Sequence, residues 1–405
     1  MKKWIIEFVL YTTYMVFGAA WATSGSVMPQ IMADFHVDVS HASLMSNVIL
    51  WAKIVGAVGT SLMVVKLGTR KSYFLGCMMI SLSAFIPLTN DFNMLLLIRF
   101  LGGLGGAICL VSLVPTVARL FNDKMAATLN SINCTSNIVG TIIALTLAVS
   151  LSNLLGGWRN LLAAYGVISL ALGVLWFCCF TDEEQTTPNN ISEANENKWS
   201  SLKEVLCSRV IWGMILQYVG AMIMMVFMFT FLPLYYAKYA HLPADSHAHL
   251  SGTVNQVGIM LGALIGPIFK ARGYHYRRWL FSTSIVMALT TFAMLFATND
   301  LVILVCSFLT GLIFATWFAF IFSIPKEMLS SVTTQTVTYA MSTFWFSTFL
   351  IATINSQLIA WSIDVTGGFT AGFAFVFALM VLSPVLALLV FPKPDKTAIQ
   401  QPAFN

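Results

Sequence analysis

Long apolar runs separated by short polar breaks make up nearly the whole chain. Twelve runs are drawn, over residues 5–33, 41–65, 72–90, 93–119, 126–152, 159–180, 208–236, 249–269, 277–297, 301–324, 333–361 and 369–391. A helix rises about 1.5 Å per residue, so a hydrocarbon core about 30 Å thick needs roughly 20 residues. The runs are of helix length and lack the alternation over about ten residues that marks a barrel strand. Several exceed the minimum, which predicts tilt or extension beyond the lipid. The expected fold is an all-α membrane protein of twelve transmembrane helices.

One stretch interrupts the pattern. Residues 181–203, TDEEQTTPNNISEANENKWSSLK, are polar, begin acidic and contain Pro188. This composition predicts a flexible linker, with a short surface helix near Trp199. The expected organisation is a six-helix bundle over 1–180, a linker over 181–207, a second six-helix bundle over 208–392 and a tail over 393–405. The halves echo one another. Thr89-Asn90-Asp91 precedes the fourth run and Thr298-Asn299-Asp300 the tenth, and Phe100-Leu101-x-Gly103 is repeated as Phe308-Leu309-x-Gly311. The loops after the second and eighth runs each set basic residues around a glycine, Gly68 or Gly273, that can supply a tight turn.

Composition supports the membrane assignment and excludes other classes. The 405 residues are 58% hydrophobic and 9% charged, against about 25% charged in soluble domains. The net charge of +5 is scattered over short loops and is no nucleic-acid signal. Its distribution predicts topology. With both termini in the cytoplasm, only Arg159 and Lys238 lie in or beside outer loops, and Lys53 and Arg99 lie inside spans. All other Lys and Arg fall on the inner side, as the positive-inside rule requires. The plasma membrane, as in a bacterial inner membrane, is the expected location. The seven cysteines form no CxxC and read as small buried hydrophobes. Lys2-Lys3 followed by an apolar run resembles a signal peptide, but the run is too long and has no clear cleavage site, so it reads as a retained first helix.

The fourth run carries Arg99 and then Gly102, Gly103, Gly105, Gly106 and Ala107. An arginine at membrane depth costs about 2.5–3.5 kcal/mol on insertion scales, unless it faces protein or water. The pattern Arg-x-x-x-Gly-x-Gly-x-Ala resembles the fourth-helix motif of the major facilitator superfamily. The loops at 64–71 and 269–278 resemble the family's Gly-x-x-x-Asp-Arg-x-Gly-Arg-Lys motif, with Gly68 and Arg70 in the first and Gly266 and Gly273 in the second. Ser61, Val65 and Lys270 depart from it. In the family the aspartate helps lock the cytoplasmic gate, so Val65 removes that latch. Gly157-Trp158-Arg159 looks like the family's usual entry to the sixth helix. The resemblance implies two pseudo-symmetric six-helix bundles, a substrate path between them and transport by alternating access.

Nothing in the chain suggests an enzyme. No phosphate loop is present, no cofactor is expected, and His247-x-His249 is too small a set for a metal site. The informative residues are charges at membrane depth. Lys53 lies mid-span on a small polar face with Ser46, Ala57 and Thr60, Arg99 lies in the outer part of its span, and no acid sits at their depth. A bound anion would relieve the pair. Glu7 is the one carboxylate with a claim to protonation inside the first span, and it also suits a first helical turn. Polar and aromatic stripes fall on helices that line the path in the family: Tyr14 and Trp21 in the first run, Asn130, Asn133, Asn137 and Thr141 in the fifth, Gln217 in the seventh, and Thr338, Trp345, Thr348 and Asn355 in the eleventh.

The expected substrate site is thus Lys53, Arg99, Tyr14, Trp21, Asn133, Asn137, Gln217, Thr338 and Trp345. Gly68, Arg70, Gly103, Gly105 and Gly273 are the expected gating and motif residues. The expected function is secondary transport of a small organic anion or zwitterion by a monomer in the bilayer, with a proton as a possible coupling ion. A proton-coupled multidrug exporter and a transporter-like sensor are the alternatives. The first would carry a carboxylate deep in the first or fourth span, and the second a large output segment.

Overall fold

A computed structural model describes residues 2–180, 198–238, 247–274, 276–321, 324 and 334–391. Most of the linker and the whole tail expected from the sequence lie outside these residues. The described chain is helical: α1 (Lys2–Ser26), α2 (Met28–Phe35), α3 (Val39–Ser81), α4 (Phe92–Leu120), α5 (Asp123–Leu154), α6 (Trp158–Cys179), α7 (Lys198–Cys207), α8 (Arg209–Thr230), α9 (Leu232–Lys238), α10 (Ser251–Ala271), α11 (Tyr276–Phe296), α12 (Asp300–Ile321), α13 (Thr334–Thr366) and α14 (Thr370–Val390). Ten stretches of these helices are long and apolar enough to cross a membrane. The two remaining expected runs, the second and the ninth, are helical in the first limb of α3 and in α11.

Local chemistry sets the helix ends. Asp38, Asp91 and Asn122 each stand just before a helix and accept backbone N–H bonds from its first turn, at His41, at Asn93 and Met94, and at Met125. The first run does not continue to residue 33 as one helix. It breaks at Val27, and α2 starts afresh with Pro29 in its first turn, where a missing N–H does no harm. Within α3, Gly68 has φ 77° and ψ 164°, and there the chain folds back on itself. The hydroxyl of Ser72 reaches the Met63 carbonyl across the bend, and Ile49 and Ile80, from opposite limbs, line one cavity. Gly273 has φ 79° between α10 and α11, the equivalent point of the second half.

The two halves repeat one packing scheme. The first limb of α3 pairs with α4 as α10 pairs with α12, α1 with α5 as α8 with α13, and α1 with α6 as α8 with α14. The first helix of each half is central, with 72% of the apolar window of α1 and 83% of that of α8 buried in protein. Small residues permit the close approach: a Cβ on Gly103 would collide with Ala52, and one on Gly105 with the carbonyl oxygen of Gly76. The halves meet through α3 with α13 and through α5 with α10, two contacts that exchange under the same pseudo-symmetry.

Candidate functional site

Two ends of the molecule are distinguished by their loops. One end holds Asp34, Asp91 and Asp364, and the other holds Gly68, Arg70 and Gly273. At the Asp34 end the halves are bonded together. Both oxygens of Asp364, near the end of α13, accept from the first N–H groups of α3, Val39 at 3.0 Å and Ser40 at 2.8 Å. Two turns inward Asn47 donates to Gln357 at 3.0 Å, Ser356 donates to Asn47 at 2.8 Å, and Gln357 donates to the Ser40 carbonyl. Thr146 of α5 meets Thr253 of α10 at 2.9 Å. The α3 N-terminus carries partial positive charge and unpaired N–H groups, so a carboxylate from the other half suits it. The site is therefore closed at this end.

Arg99 and Lys53 lie in different environments. Arg99, on α4, is buried with 3% exposure, and each of its three guanidinium nitrogens bonds to a neighbour. It donates to the carbonyls of Ala20 at 2.8 Å, Trp21 at 3.3 Å and Met45 at 3.3 Å, and to the Ser24 hydroxyl at 3.2 Å. It ties α4 to α1 and α3. A cavity beside it, of about 10 Å³ and lined by Phe17, Trp21, Ile49, Ser83, Arg99 and Gly102, has room for about one water. The expectation of two unengaged cations is corrected at Arg99: carbonyls of α1 and α3 supply what no acid does.

Lys53, on α3, has 8% exposure and touches rings. Its Nζ lies 3.8 Å from the ring centre of Trp21, 5.5 Å from Phe17 and 5.6 Å from Phe349. Trp21 and Phe17 come from α1 and Phe349 from α13, so the cage spans both halves. Among the described residues no carboxylate or carbonyl bonds to this ammonium. The Nε1–H of Trp21 is also buried without an acceptor. The rings are themselves supported: Tyr14 stacks on Phe17 at 5.7 Å, Phe229 of α8 meets Trp21 edge-on at 5.1 Å, and Trp345 stacks on Phe349 at 5.4 Å.

The other expected site residues are dispersed. Asn133 donates to Glu7 at 2.9 Å, within the first half. Glu7 is buried rather than a solvated first-turn acid, and among the described residues its second carboxylate oxygen has no bond. Asn137 backs onto Gly18 of α1. Asn133 and Asn137, two of the four residues of the α5 stripe, thus face α1. Gln217 donates to the Leu280 carbonyl and the Ser284 hydroxyl, so it fastens α8 to α11 inside the second half and does not face the first. The side chain of Thr338 lies outside the described residues. Arg70 bonds the Phe177 carbonyl at 2.7 Å and lies over the Phe177 ring, joining the α3 turn to the end of α6. The structure thus brings Lys53 against Trp21, sets Tyr14 and Trp345 one ring further out behind Phe17 and Phe349, and takes Asn133, Asn137 and Gln217 into packing within a half. Sequence reasoning missed Phe17, Phe349, Asn47, Gln357 and the capping role of Asp364. Phenylalanines in an apolar helix carry no signal of which face they occupy, although Phe17 stands four residues before Trp21.

Comparison with known proteins decides the class. Residues 10–353 match the Major Facilitator Superfamily. The chain belongs to that family. It is 36% identical over 313 residues to the uncharacterized protein Cj0987c of Campylobacter jejuni, covering 76% of this chain and 96% of that one. Its fold is similar to that of a bacterial homolog of the human lysosomal transporter Spinster, solved inward-facing and unoccupied, with TM-score 0.74, 12% identity and coverage of 96% and 95% of the two chains. It is also similar to a D-xylose-proton symporter, with TM-score 0.71, 14% identity and coverage of 96% and 98%. The protein is a multi-pass membrane protein and a secondary transporter of small solutes. Membership points to transport rather than enzymatic catalysis.

Proposed function

We propose that this transporter carries a small organic anion by alternating access, with Lys53 as the charged anchor. One observation supports this most: a lysine at membrane depth, between the two halves, with aromatic faces around it and no acidic partner among the described residues. A buried charge is costly unless it is paired. Cation–π contacts offset part of the penalty, by about 2 kcal/mol or more when desolvated. An anion entering the cage adds the missing partner, and it does so between helices that must part when the halves rock. The basic-residue asymmetry assigns the Asp34 end to the outside of the plasma membrane and both termini to the cytoplasm. The bonds of Asp364, Asn47 and Gln357 then close the outer end.

The test is a solute screen on the purified full-length protein. A ligand that binds the folded state raises its unfolding temperature by mass action. Organic carboxylates are expected to stabilise the protein and organic cations of similar size are not. Stabilisation by cations alone would overturn the reading.

A further inference from the structure

The surroundings of Lys53 restrict the solute further, if the anion site proposed above is granted. We infer that the transported anion is a flat one: a carboxylate-like group joined to a planar π-bonded body.

Two donors on neighbouring side chains have no acceptor among the described residues. The Lys53 ammonium sits over the Trp21 indole, and the Nε1–H of that same indole is buried with no partner among the described residues. A carboxylate has two oxygens, so one can take the ammonium and the other the indole N–H. Buried donors without acceptors are penalised, and this arrangement satisfies both with one ligand group. Two further rings, Phe17 and Phe349, present apolar faces to the ammonium. Phe17 and Phe349 are within 5.6 Å of the ammonium, and Phe349 is stacked on Trp345, which in turn meets Tyr218 edge-on. Rings prefer offset stacking or edge-to-face contact with other rings, a gain beyond area alone. Hydroxyls on a solute body would find no partner against these faces and would lose their water. A polyol is therefore a poor fit, and a bulky saturated ring would forfeit the stacking. The ring faces are also negative, which turns the anionic group towards the two donors and leaves the planar body to the walls.

The experiment compares matched probes by calorimetric titration of the full-length protein in detergent. Benzoate and cyclohexanecarboxylate carry the same charge on six-membered rings, one planar and one puckered. Benzoate is expected to bind at least tenfold more tightly. Trp21→Phe, which retains a ring but removes the N–H, is expected to weaken benzoate about tenfold with the unfolding temperature unchanged. Equal affinity for the two probes would overturn the planar assignment and leave the anion reading standing. Failure of the folded protein to bind either probe would remove both. Unchanged benzoate affinity in a folded Trp21→Phe protein would overturn the two-donor site.

Discussion

Arg99 and Lys53 look alike in the sequence, a single basic residue inside an apolar span, and the structure makes them opposites. The arginine has planar donors in fixed directions, and three carbonyls and a hydroxyl from two other helices meet them. The lysine has a compact charge on a flexible stem, and among the described residues only ring faces meet it. One cation is consumed in holding α1, α3 and α4 together, and the other is left with bonding capacity between the two halves. Depth and charge alone do not mark a substrate group. What marks it is a charge whose neighbours leave it incomplete.

The comparison breaks most visibly on folding. Arg99→Met removes four hydrogen bonds to a charged donor, and a loss of roughly 2–4 kcal/mol of stability is expected. Lys53→Met places an apolar chain of similar length among the same rings, so its unfolding temperature should match or exceed that of the wild type. Thermal unfolding in detergent measures both, and equal loss in the two would mean that the cations play the same part. Arg99→Lys sharpens the contrast. An ammonium cannot reach three carbonyls on two helices at once, so about half of the Arg99→Met loss is expected. Full stability in this variant would show that charge, not geometry, serves at this position.

A smaller effect is expected at the closed end. Asp364→Asn keeps one acceptor for the α3 N-terminus but removes the charge, weakening the latch by about 1 kcal/mol. That shifts a two-state equilibrium roughly fivefold towards opening at the Asp34 end. Spin labels on the loops beside Asp38 and Gly367 would read the distance, and an unchanged distribution would deny Asp364 a latching role. The smallest effect is expected at Glu7. Glu7→Gln keeps the bond from Asn133 and supplies a donor in place of a buried, unbonded carboxylate oxygen, so a stability gain of about 1 kcal/mol or less should follow. A marked loss would mean that the carboxylate has a partner that the Asn133 bond alone does not account for.

Much of the architecture was legible because it follows from solvent and length. Apolar runs near twenty residues and turn glycines at 68 and 273 are local signals, and they set the helices and their reversals. The candidate site was legible only in part. Lys53 and Trp21 stood out by charge and size. The partners of Arg99 did not, because backbone carbonyls leave no trace in a sequence. Asn133, Asn137 and Gln217 drew attention as polar residues in lipid-facing runs, yet each turns to a neighbour in its own half. Asp364 read as an ordinary outer acid, since its acceptors' partners, the N–H groups of Val39 and Ser40, lie more than three hundred residues away.

The central claim is that Lys53 anchors a transported anion, and uptake by Lys53→Met tests it most directly. Purified wild type and Lys53→Met would be reconstituted at matched, folded amounts in proteoliposomes, and saturable uptake of labelled benzoate would be followed. One charge-assisted hydrogen bond, about 1.5–3 kcal/mol, corresponds to roughly a tenfold to hundredfold loss of affinity. The account predicts that loss in Lys53→Met, with an unfolding temperature at least that of the wild type. Equal uptake by the two proteins, at equal affinity, would contradict it.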